Sequence, residues 1–261
     1  MRNIKSTTVV VKVGTNTITN SNGTLDKKVM WNLVRQIALI KKKNKKIVLI
    51  TSGAIGAGMQ ELKLKKKPQD VVMKQVCAGI GQSILMKNYH DLFRKYKIKI
   101  AQILLTYDDF TNKKTYTNFT NSLNKLLDLG VIPIINENDP ISIDEIGASF
   151  GDNDNLSALV AKTVKADLLV LLTNVDGLYD KDPKDKSAVL VREVKKITKD
   201  IESMSGAASN LGLGGMKTKV LAAKKAINNG TIVVIANGKK DNVITSIIHN
   251  RDVGTIFYPK K

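Results

Sequence analysis

The sequence contains little cysteine, histidine or arginine, and each shortage narrows the range of possible functions. The single cysteine, Cys77, cannot form an internal disulfide, so we expect a reducing, cytoplasmic compartment. The two histidines, His90 and His249, lie in predicted helices far from the polar segments described below, and we interpret both as ordinary residues. Only five of the 42 basic residues are arginines, which are the residues favoured for reading bases and phosphates. The net charge of +19 is therefore weak evidence for a nucleic-acid-binding protein.

Long apolar runs and the familiar nucleotide-binding motifs are also missing. No apolar run reaches the roughly 18 residues of a membrane span, and the N-terminal stretch lacks the apolar core of an export signal. The chain has no G-x-x-x-x-G-K-[ST] loop, no protein-kinase H-R-D or D-F-G motif, and no G-x-G-x-x-G after its first predicted strand. These absences disfavour a membrane protein, a P-loop enzyme, a protein kinase and a dinucleotide-binding protein.

The positive charge nevertheless leaves a basic RNA-binding protein as an alternative from another class. The lysines are spread along the chain and are densest at 41–46 and 63–67, where helices should end and cations face the helix dipole favourably. Five phenylalanines, one tryptophan and no aromatic-rich RNA motif argue against RNA binding. The alternative predicts salt-sensitive RNA binding without ATP turnover. A positive field would also attract anions such as ATP and dicarboxylates.

Short β-branched runs alternate with helical stretches, which predicts an α/β fold with a mainly parallel sheet covered on both faces. Because the chain shows no internal repeat and no linker, we expect one unit, 1–261, with two lobes that meet near residues 164 and 165. The predicted strands are Thr8–Val13, Ile47–Thr51, Ile98–Leu105, Val131–Asn136, Asp167–Thr173, Thr231–Ile235 and Gly254–Phe257. The predicted helices are Asp26–Lys43, Asp70–Phe93, Tyr116–Leu129, Asn155–Val164 and Met216–Asn228.

Four segments rich in Gly, Asn or Asp lie near the predicted carboxyl edge of the sheet, where α/β proteins bind ligands. In VVKVGTNTIT (10–19), Lys12 stands near the end of a valine-rich strand, just before Gly14. A lysine in an apolar strand is energetically costly unless its ammonium reaches an anion. The alternative is that the strand lies at the edge of the sheet and the ammonium reaches the solvent. TSGAIGAG (51–58) follows a strand and opens a helix, so Ser52 and the backbone amides suit an anion, although a tight turn is the alternative.

The third and fourth segments carry the richest chemistry. NENDP (136–140) and FGDNDNLSALVA (150–161) bring carboxylates and carboxamides that can hold an amino acid, lysines or a metal. Their alternative is a pair of surface turns, with Asp152 or Asn153 as a simple N-cap. SNLGLGGMKTKVLAAKKA (209–226) places Lys217 and Lys219 in the first turn of a helix. Cations at a helix N-terminus interact unfavourably with the helix dipole. A polyphosphate bound there would explain the two lysines better than the alternative, which is a helix C-cap followed by unrelated lysines.

These groups suit phosphoryl transfer to a carboxylate better than transfer to a hydroxyl. A hydroxyl acceptor usually needs a catalytic base, whereas a glutamate-like carboxyl with a reference pKa of about 4.3 is already ionised at neutral pH. Its phosphorylation requires charge neutralisation and in-line positioning, which lysines, glycine amides, magnesium and a few Asp or Asn residues supply.

The motifs VKVGTNTIT, ITSGAIGAG, IINEND, FGDNDNLSALVA, LLTNVDGLY and GLGGMKTK, in this order, resemble the amino acid kinase family. The pair INEND and GDNDNLSA resembles its glutamate 5-kinases in particular, and the resemblance covers essentially the whole chain. It implies a three-layer α/β/α sandwich, ATP and Mg²⁺ as cofactors, and conversion of L-glutamate to L-glutamyl 5-phosphate, the first step toward proline. Another kinase of this superfamily, acting on acetylglutamate, aspartate, carbamate or a phosphorylated small molecule, is the nearest alternative.

The resemblance also implies roles for individual residues. Lys12 and Lys219 would neutralise the transferred phosphoryl group, and Asp154 would organise these lysines. No residue is assigned as a metal ligand. The family commonly has aspartate at Asn174, threonine at Leu213 and serine at Lys217, so the details of nucleotide contact are open. Glutamate would be held by Ser52, Gly53, Asn136, Asp139, Asp152 and Asn153, and the nucleotide by Lys12, Thr173, Asn174, Leu213, Gly214, Gly215, Met216, Lys217, Thr218 and Lys219.

Further expectations follow from the resemblance alone. Residues 1–164 would form the glutamate-binding lobe and residues 165–261 the ATP-binding lobe, without a C-terminal PUA domain. Feedback inhibition by proline, a homo-oligomer and functional coupling to glutamate-5-semialdehyde dehydrogenase are expected as well. Neither a membrane nor nucleic acid is expected as a partner.

Overall fold

An eight-stranded sheet organises the computed structural model, which describes residues 2–20, 23–141, 153–206 and 215–259. The strand order is β3-β4-β2-β1-β5-β7-β8-β6. All neighbouring strands pair in parallel except β7 and β8, which are antiparallel. The strands are β1 (Thr8–Val13), β2 (Lys46–Ile50), β3 (Ile100–Leu105), β4 (Ile132–Glu137), β5 (Leu168–Thr173), β6 (Glu193–Val194), β7 (Ile232–Asn237) and β8 (Thr255–Phe257).

Helices cover both faces of this sheet, as the alternating sequence pattern predicts. Asp26 and Asp70 accept hydrogen bonds from backbone amides in the first turns of the two long helices α2 (Lys27–Lys41) and α4 (Val71–Arg94), which fixes where these helices begin. The helices are α1 (Thr15–Ile18), α2 (Lys27–Lys41), α3 (Ala54–Glu61), α4 (Val71–Arg94), α5 (Asp108–Thr111), α6 (Lys113–Asp128), α7 (Asn153–Thr163), α8 (Lys199–Gly206), α9 (Met216–Ile227) and α10 (Val243–Ile248).

Two hydrophobic cores lie between the sheet and the helices, because alternate strand residues point to opposite faces. Val9 and Val11 of β1 pack in the core covered mainly by α2, α4 and α10. Val10, between them, packs in the other core, against α6, α7 and α9. The predicted three-layer α/β/α sandwich is therefore confirmed, and the same alternation places Lys12 on the face that α7 and α9 cover.

All seven predicted strands are present, with ends that differ by no more than two residues at the N-terminal side and two at the C-terminal side. The five predicted helices are present too, while α1, α5, α8, α10 and β6 were not predicted. These elements span eight residues or fewer, too short for a clear apolar period. Strand β1 pairs with both β2 and β5, so one sheet runs through both predicted lobes, and the division at residue 164 stays a prediction. Within the described ranges, no helix is long and apolar enough to span a membrane.

Helices α3 and α4 approach each other closely at two glycines. A Cβ atom on Gly58 would lie 1.8 Å from the carbonyl oxygen of Cys77, and one on Gly81 would lie 1.8 Å from that of Ala54. These distances are impossible for real atoms, so only glycine allows the two backbones to meet here. This contact presses the start of α3, which directly follows β2, against the middle of α4.

We predict that Gly58→Ala lowers the free energy of unfolding by about 3 kcal/mol or more, because the two backbones must separate to accept the methyl group. Gly79→Ala in α4 is the matched control, since its Cβ would meet Pro140 at an ordinary 3.7 Å. The control should be neutral or stabilising by up to about 1 kcal/mol, the helix-propensity gain of alanine. Urea unfolding of both variants measures the difference, and equal stabilities would contradict the tight contact.

Candidate functional site

Lys12, Asp154 and Lys219 meet at the carboxyl edge of the sheet. Lys12 is in β1, with Ile50 of β2 and Leu171 of β5 as its register neighbours. Asp154 lies in the first turn of α7, and Lys219 in the first turn of α9. Helices α7 and α9 pack against each other over the same face of the sheet, which brings three distant parts of the chain to one place.

The Asp154 carboxylate binds both lysines. Its Oδ1 lies 2.7 Å from the Lys12 ammonium and its Oδ2 lies 3.0 Å from the Lys219 ammonium. The Asp154 side chain is fully buried, and each lysine side chain is only 5% exposed. Burial raises the pKa of the Asp154 carboxyl, but the charges and hydrogen bonds of the two lysines outweigh it and hold this pKa below its ordinary range. The carboxylate therefore stays ionised and fixes both ammonium groups.

The N-terminus of α9 lies beside these ion pairs. The Thr218 hydroxyl is 2.9 Å from Oδ2 of Asp154 and 2.8 Å from the backbone oxygen of Gly215. Gly215 is the N-cap residue, and no side chain caps the helix there within the described part of the chain. The adjacent backbone amides thus suit an anion. Met216 packs in the hydrophobic core, while Lys217 is exposed, so of the two first-turn lysines only Lys219 contacts Asp154.

A chain of side-chain amides begins one residue before Asp154. Nδ2 of Asn153 lies 3.0 Å from the backbone oxygen of Thr51, 2.9 Å from Oγ of Ser52 and 3.0 Å from Oδ1 of Asn136. Nδ2 of Asn136 in turn donates to Oε1 of Gln82 in α4 at 2.9 Å. The structure therefore brings together three of the residues predicted to bind substrate, Ser52, Asn136 and Asn153. Gly53, next to Ser52, has a φ of 99°, which a residue with a side chain rarely adopts.

Asp139 lies next to this chain, at a cavity of about 220 Å³. Burial raises the pKa of the Asp139 carboxyl to about 6. An ionised Asp139 is thus costly, and a cation in the cavity would favour the ionised form. The cavity is lined by Ala78, Gly79, Gln82, Ser83, Gln102, Leu104, Glu137, Asp139 and Pro140.

Two of the predicted nucleotide residues, Thr173 and Asn174, lie at the end of the neighbouring strand β5. Thr173 ends β5, and its hydroxyl donates to the side chain of Asn174 at 3.3 Å. Close by, Asp176 accepts hydrogen bonds from Asn237 at 3.0 Å and from Lys240 at 2.6 Å, which joins the ends of β5 and β7. Three other predicted site residues lie outside the described residues: Asp152, Leu213 and Gly214.

The sequence prediction missed Gln82 and the Asp176–Lys240 pair. Gln82 occupies the buried stripe of α4 that Ala78, Leu85 and Tyr89 share, where a polar residue is unusual, and this position was the available signal. Asp176 lies three residues after Thr173 and two after Asn174, but its partner Lys240 is 64 residues away in the chain. Only the pairing of β5 with β7 brings these two residues together.

A parallel sheet that gathers two buried lysines, one carboxylate and an open helix N-terminus at a single edge has the parts of a phosphoryl-transfer enzyme. The chain belongs to the amino acid kinase family, whose family model matches residues 7–237.

Two relatives and one solved structure illustrate the similarity. The chain is 48% identical to a protein named glutamate 5-kinase from Caldanaerobacter subterraneus subsp. tengcongensis, over 97% of this chain and 68% of the relative. It is 46% identical to a glutamate 5-kinase from Clostridium acetobutylicum, over 97% of this chain and 94% of the relative. The carbamate kinase from Giardia lamblia bound to AMP-PNP is similar in fold, with a TM-score of 0.69, 18% identity and coverage of 97% and 98% of the two chains.

We predict that Asp139→Asn stabilises the protein at neutral pH. An acid whose pKa rises on folding from 3.8 to about 6 binds its proton more tightly in the folded state, so its contribution to stability falls as pH rises through this window. The variant should gain about 1–3 kcal/mol in free energy of unfolding at pH 7.5, and little at pH 4. Urea unfolding at both pH values tests this, and a gain of equal size at both would contradict the raised pKa.

Proposed function

We propose that this protein transfers the γ-phosphoryl group of ATP to the side-chain carboxylate of L-glutamate, giving L-glutamyl 5-phosphate in the first step of proline biosynthesis. The observation that carries the proposal is the joint contact of Lys12 and Lys219 with Asp154 at the sheet edge. The similarity to glutamate 5-kinases over nearly the whole chain supports glutamate as the acceptor.

The lysines supply the charge that this reaction needs. An ionised carboxylate and a triphosphate repel each other, and the charge on the transferred group is spread over its oxygens during transfer. Two ammonium groups held in place by one carboxylate neutralise that charge without rearranging, which makes them effective in a site that excludes water. Asp154 acts as the residue that positions both.

No general base is required for an acceptor that is ionised at neutral pH. This agrees with the histidines, since His90 and His249 are both exposed on the protein surface. The acceptor needs to be held in line with the phosphoryl group instead. Ser52, Gly53, Asn136, Asp139, Asp152 and Asn153 are the residues we propose for this task.

The nucleotide would occupy the side of the site formed by β5 and α9. The open N-terminus of α9 suits its phosphates, and Thr173 and Asn174 stand at the neighbouring strand end. Here Lys217, exposed in the first turn, adds a further cation near the phosphates. The proposed nucleotide-binding set is Lys12, Thr173, Asn174, Leu213, Gly214, Gly215, Met216, Lys217, Thr218 and Lys219.

Magnesium fits this site as a partner of the nucleotide. Both oxygens of Asp154 contact lysine ammonium groups, and the described residues contain no cluster of three His, Cys, Asp or Glu side chains. The phosphate oxygens of ATP and water would then be the ligands of Mg²⁺, as is common for this ion. When bound, it would shield the phosphate charge while the lysines act on the transferred group.

Several wider properties remain predictions from the family resemblance. They are a cytoplasmic location, a homo-oligomeric state, feedback inhibition by proline, and functional coupling to glutamate-5-semialdehyde dehydrogenase. The separate glutamate-binding and ATP-binding lobes belong to the same group.

The reaction is tested by glutamate-dependent ADP release, with hydroxylamine trapping of the acyl phosphate. We expect release and trapping with L-glutamate, and much slower turnover with aspartate, acetylglutamate or carbamate as the acceptor. Faster turnover with aspartate than with glutamate would overturn the glutamate assignment. Tight, salt-sensitive RNA binding without ADP release would overturn the enzyme assignment altogether.

We predict that Lys219→Ala lowers turnover by about 10²–10³-fold while the protein stays folded, because one fixed cation at the transferred group is lost and Asp154 keeps Lys12 as a partner. Lys224→Ala is the control, since Lys224 lies on the outer side of α9 in an exposed ion pair with Glu202. The control should change turnover less than two-fold. Near-normal activity of the Lys219 variant would show that this lysine does not act on the phosphoryl group.

A further inference from the structure

We propose that Gln82 is a specificity-determining residue whose side-chain amide donates a hydrogen bond to the α-carboxylate of the amino acid substrate. The cavity beside Gln82 would hold the head group of that substrate, with Asp139 facing its α-ammonium. This inference rests on the proposed function and adds the orientation of the substrate to it.

The direction of each hydrogen bond in the amide chain is fixed at one end. The backbone oxygen of Thr51 can only accept, so the group of Asn153 that lies 3.0 Å from it must be the NH₂. The same NH₂ then requires an acceptor from Asn136, which orients the Asn136 oxygen toward Asn153. The NH₂ of Asn136 consequently points to Gln82 and requires its oxygen.

Gln82 must therefore present its own NH₂ away from the chain of amides. Gln82 as a whole is only 7% exposed, and this nitrogen is buried. It has no hydrogen-bond partner among the residues that the structure describes. A buried donor without an acceptor lowers the stability of the folded protein. Because Gln82 lines the cavity, an acceptor bound there would satisfy this donor.

The cavity combines this donor with acidic side chains. Asp139 and Glu137, at the end of β4, line it together with Gln82 of α4. Carboxylates favour a cation, and an amide NH₂ favours an anion or another acceptor. A free α-amino acid carries both groups on one carbon atom, which matches the set better than a ligand with a single charge.

The amide chain also joins the cavity to the lysines. It ends on Asn153, which precedes Asp154 in the first turn of α7. A substrate with its head group at Gln82 would thus direct its side chain toward Lys12 and Lys219. Reversal of the head group would place its α-carboxylate against Asp139, where like charges repel.

The decisive experiment compares L-glutamate with its α-carboxamide in the wild type and in Gln82→Glu. In this variant the new carboxylate at position 82 still accepts a hydrogen bond from Asn136, but an oxygen replaces the amide NH₂ that would donate to the substrate. We expect the wild type to prefer L-glutamate to the α-carboxamide by at least about ten-fold in kcat/KM, and the variant to lose about ten-fold or more of that preference, mainly through KM. Ser83→Ala is the matched control, because Ser83 lines the same cavity but its hydroxyl donates to Ile80 of its own helix.

The outcomes separate the inference from the proposed function. Ser83→Ala should keep the wild-type preference within two-fold, and circular dichroism should show that each variant is folded. An unchanged preference in folded Gln82→Glu would overturn the inference while glutamate-dependent ADP release upholds the function. If that variant does not fold, the wild type decides, since equal use of both substrates would overturn the inference. Absence of ADP release from the wild type with any amino acid would overturn the function itself.

Discussion

The structure of the site depends on one buried carboxylate, that of Asp154, which holds two lysines. A charge buried this deeply is expensive unless it is paired, and two lysines in the interior carry the same cost. Pairing Lys12 with Lys219 through a shared partner offsets these costs together, at distances of 2.7 and 3.0 Å. It also fixes the position of each ammonium group, because neither lysine has to be held by its own flexible stem. The same contacts that permit burial therefore provide the preorganisation that phosphoryl transfer requires.

The topology of the sheet explains why these residues can meet at all. The parallel strands β4, β2, β1, β5 and β7 all end at one edge, so the residues that follow them converge although they are far apart in sequence. Strand β1 is central, and its face alternation sends Lys12 toward α7 and α9. Those helices begin at the same edge, which brings their first-turn residues Asp154 and Lys219 beside it. Close packing of α3 on α4 then places Gln82 beside the end of β4.

Sequence reasoning reached the elements and most of the site because both depend on local patterns. Apolar β-branched runs marked the strands, and the helical stretches between them marked the five predicted helices. Lys12 was recognisable because it interrupts a valine strand. The family resemblance groups Asp154 with both lysines, whereas no sequence pattern shows that Asp176 joins Lys240, because these two residues are distant in the chain. Local patterns alone do not separate Lys217 from Lys219 as the family resemblance does, because only the rotation of α9 about its axis decides which of them is buried.

Several groups close to Asp154 are held in states that cost stability. The Asp139 carboxyl has a pKa raised to about 6 by burial, and buried atoms of Gln82 and Asn153 have no hydrogen-bond partner within the described residues. A sequence selected for stability alone would replace such groups, since each one lowers the free energy of unfolding. Their presence together, next to Asp154, is understandable if a ligand supplies the missing partners. A cation would relieve Asp139, and an acceptor would relieve Gln82. A ligand that carries both groups therefore gains more binding free energy than one that carries neither. The groups that lower the stability of the free protein thus make its site selective.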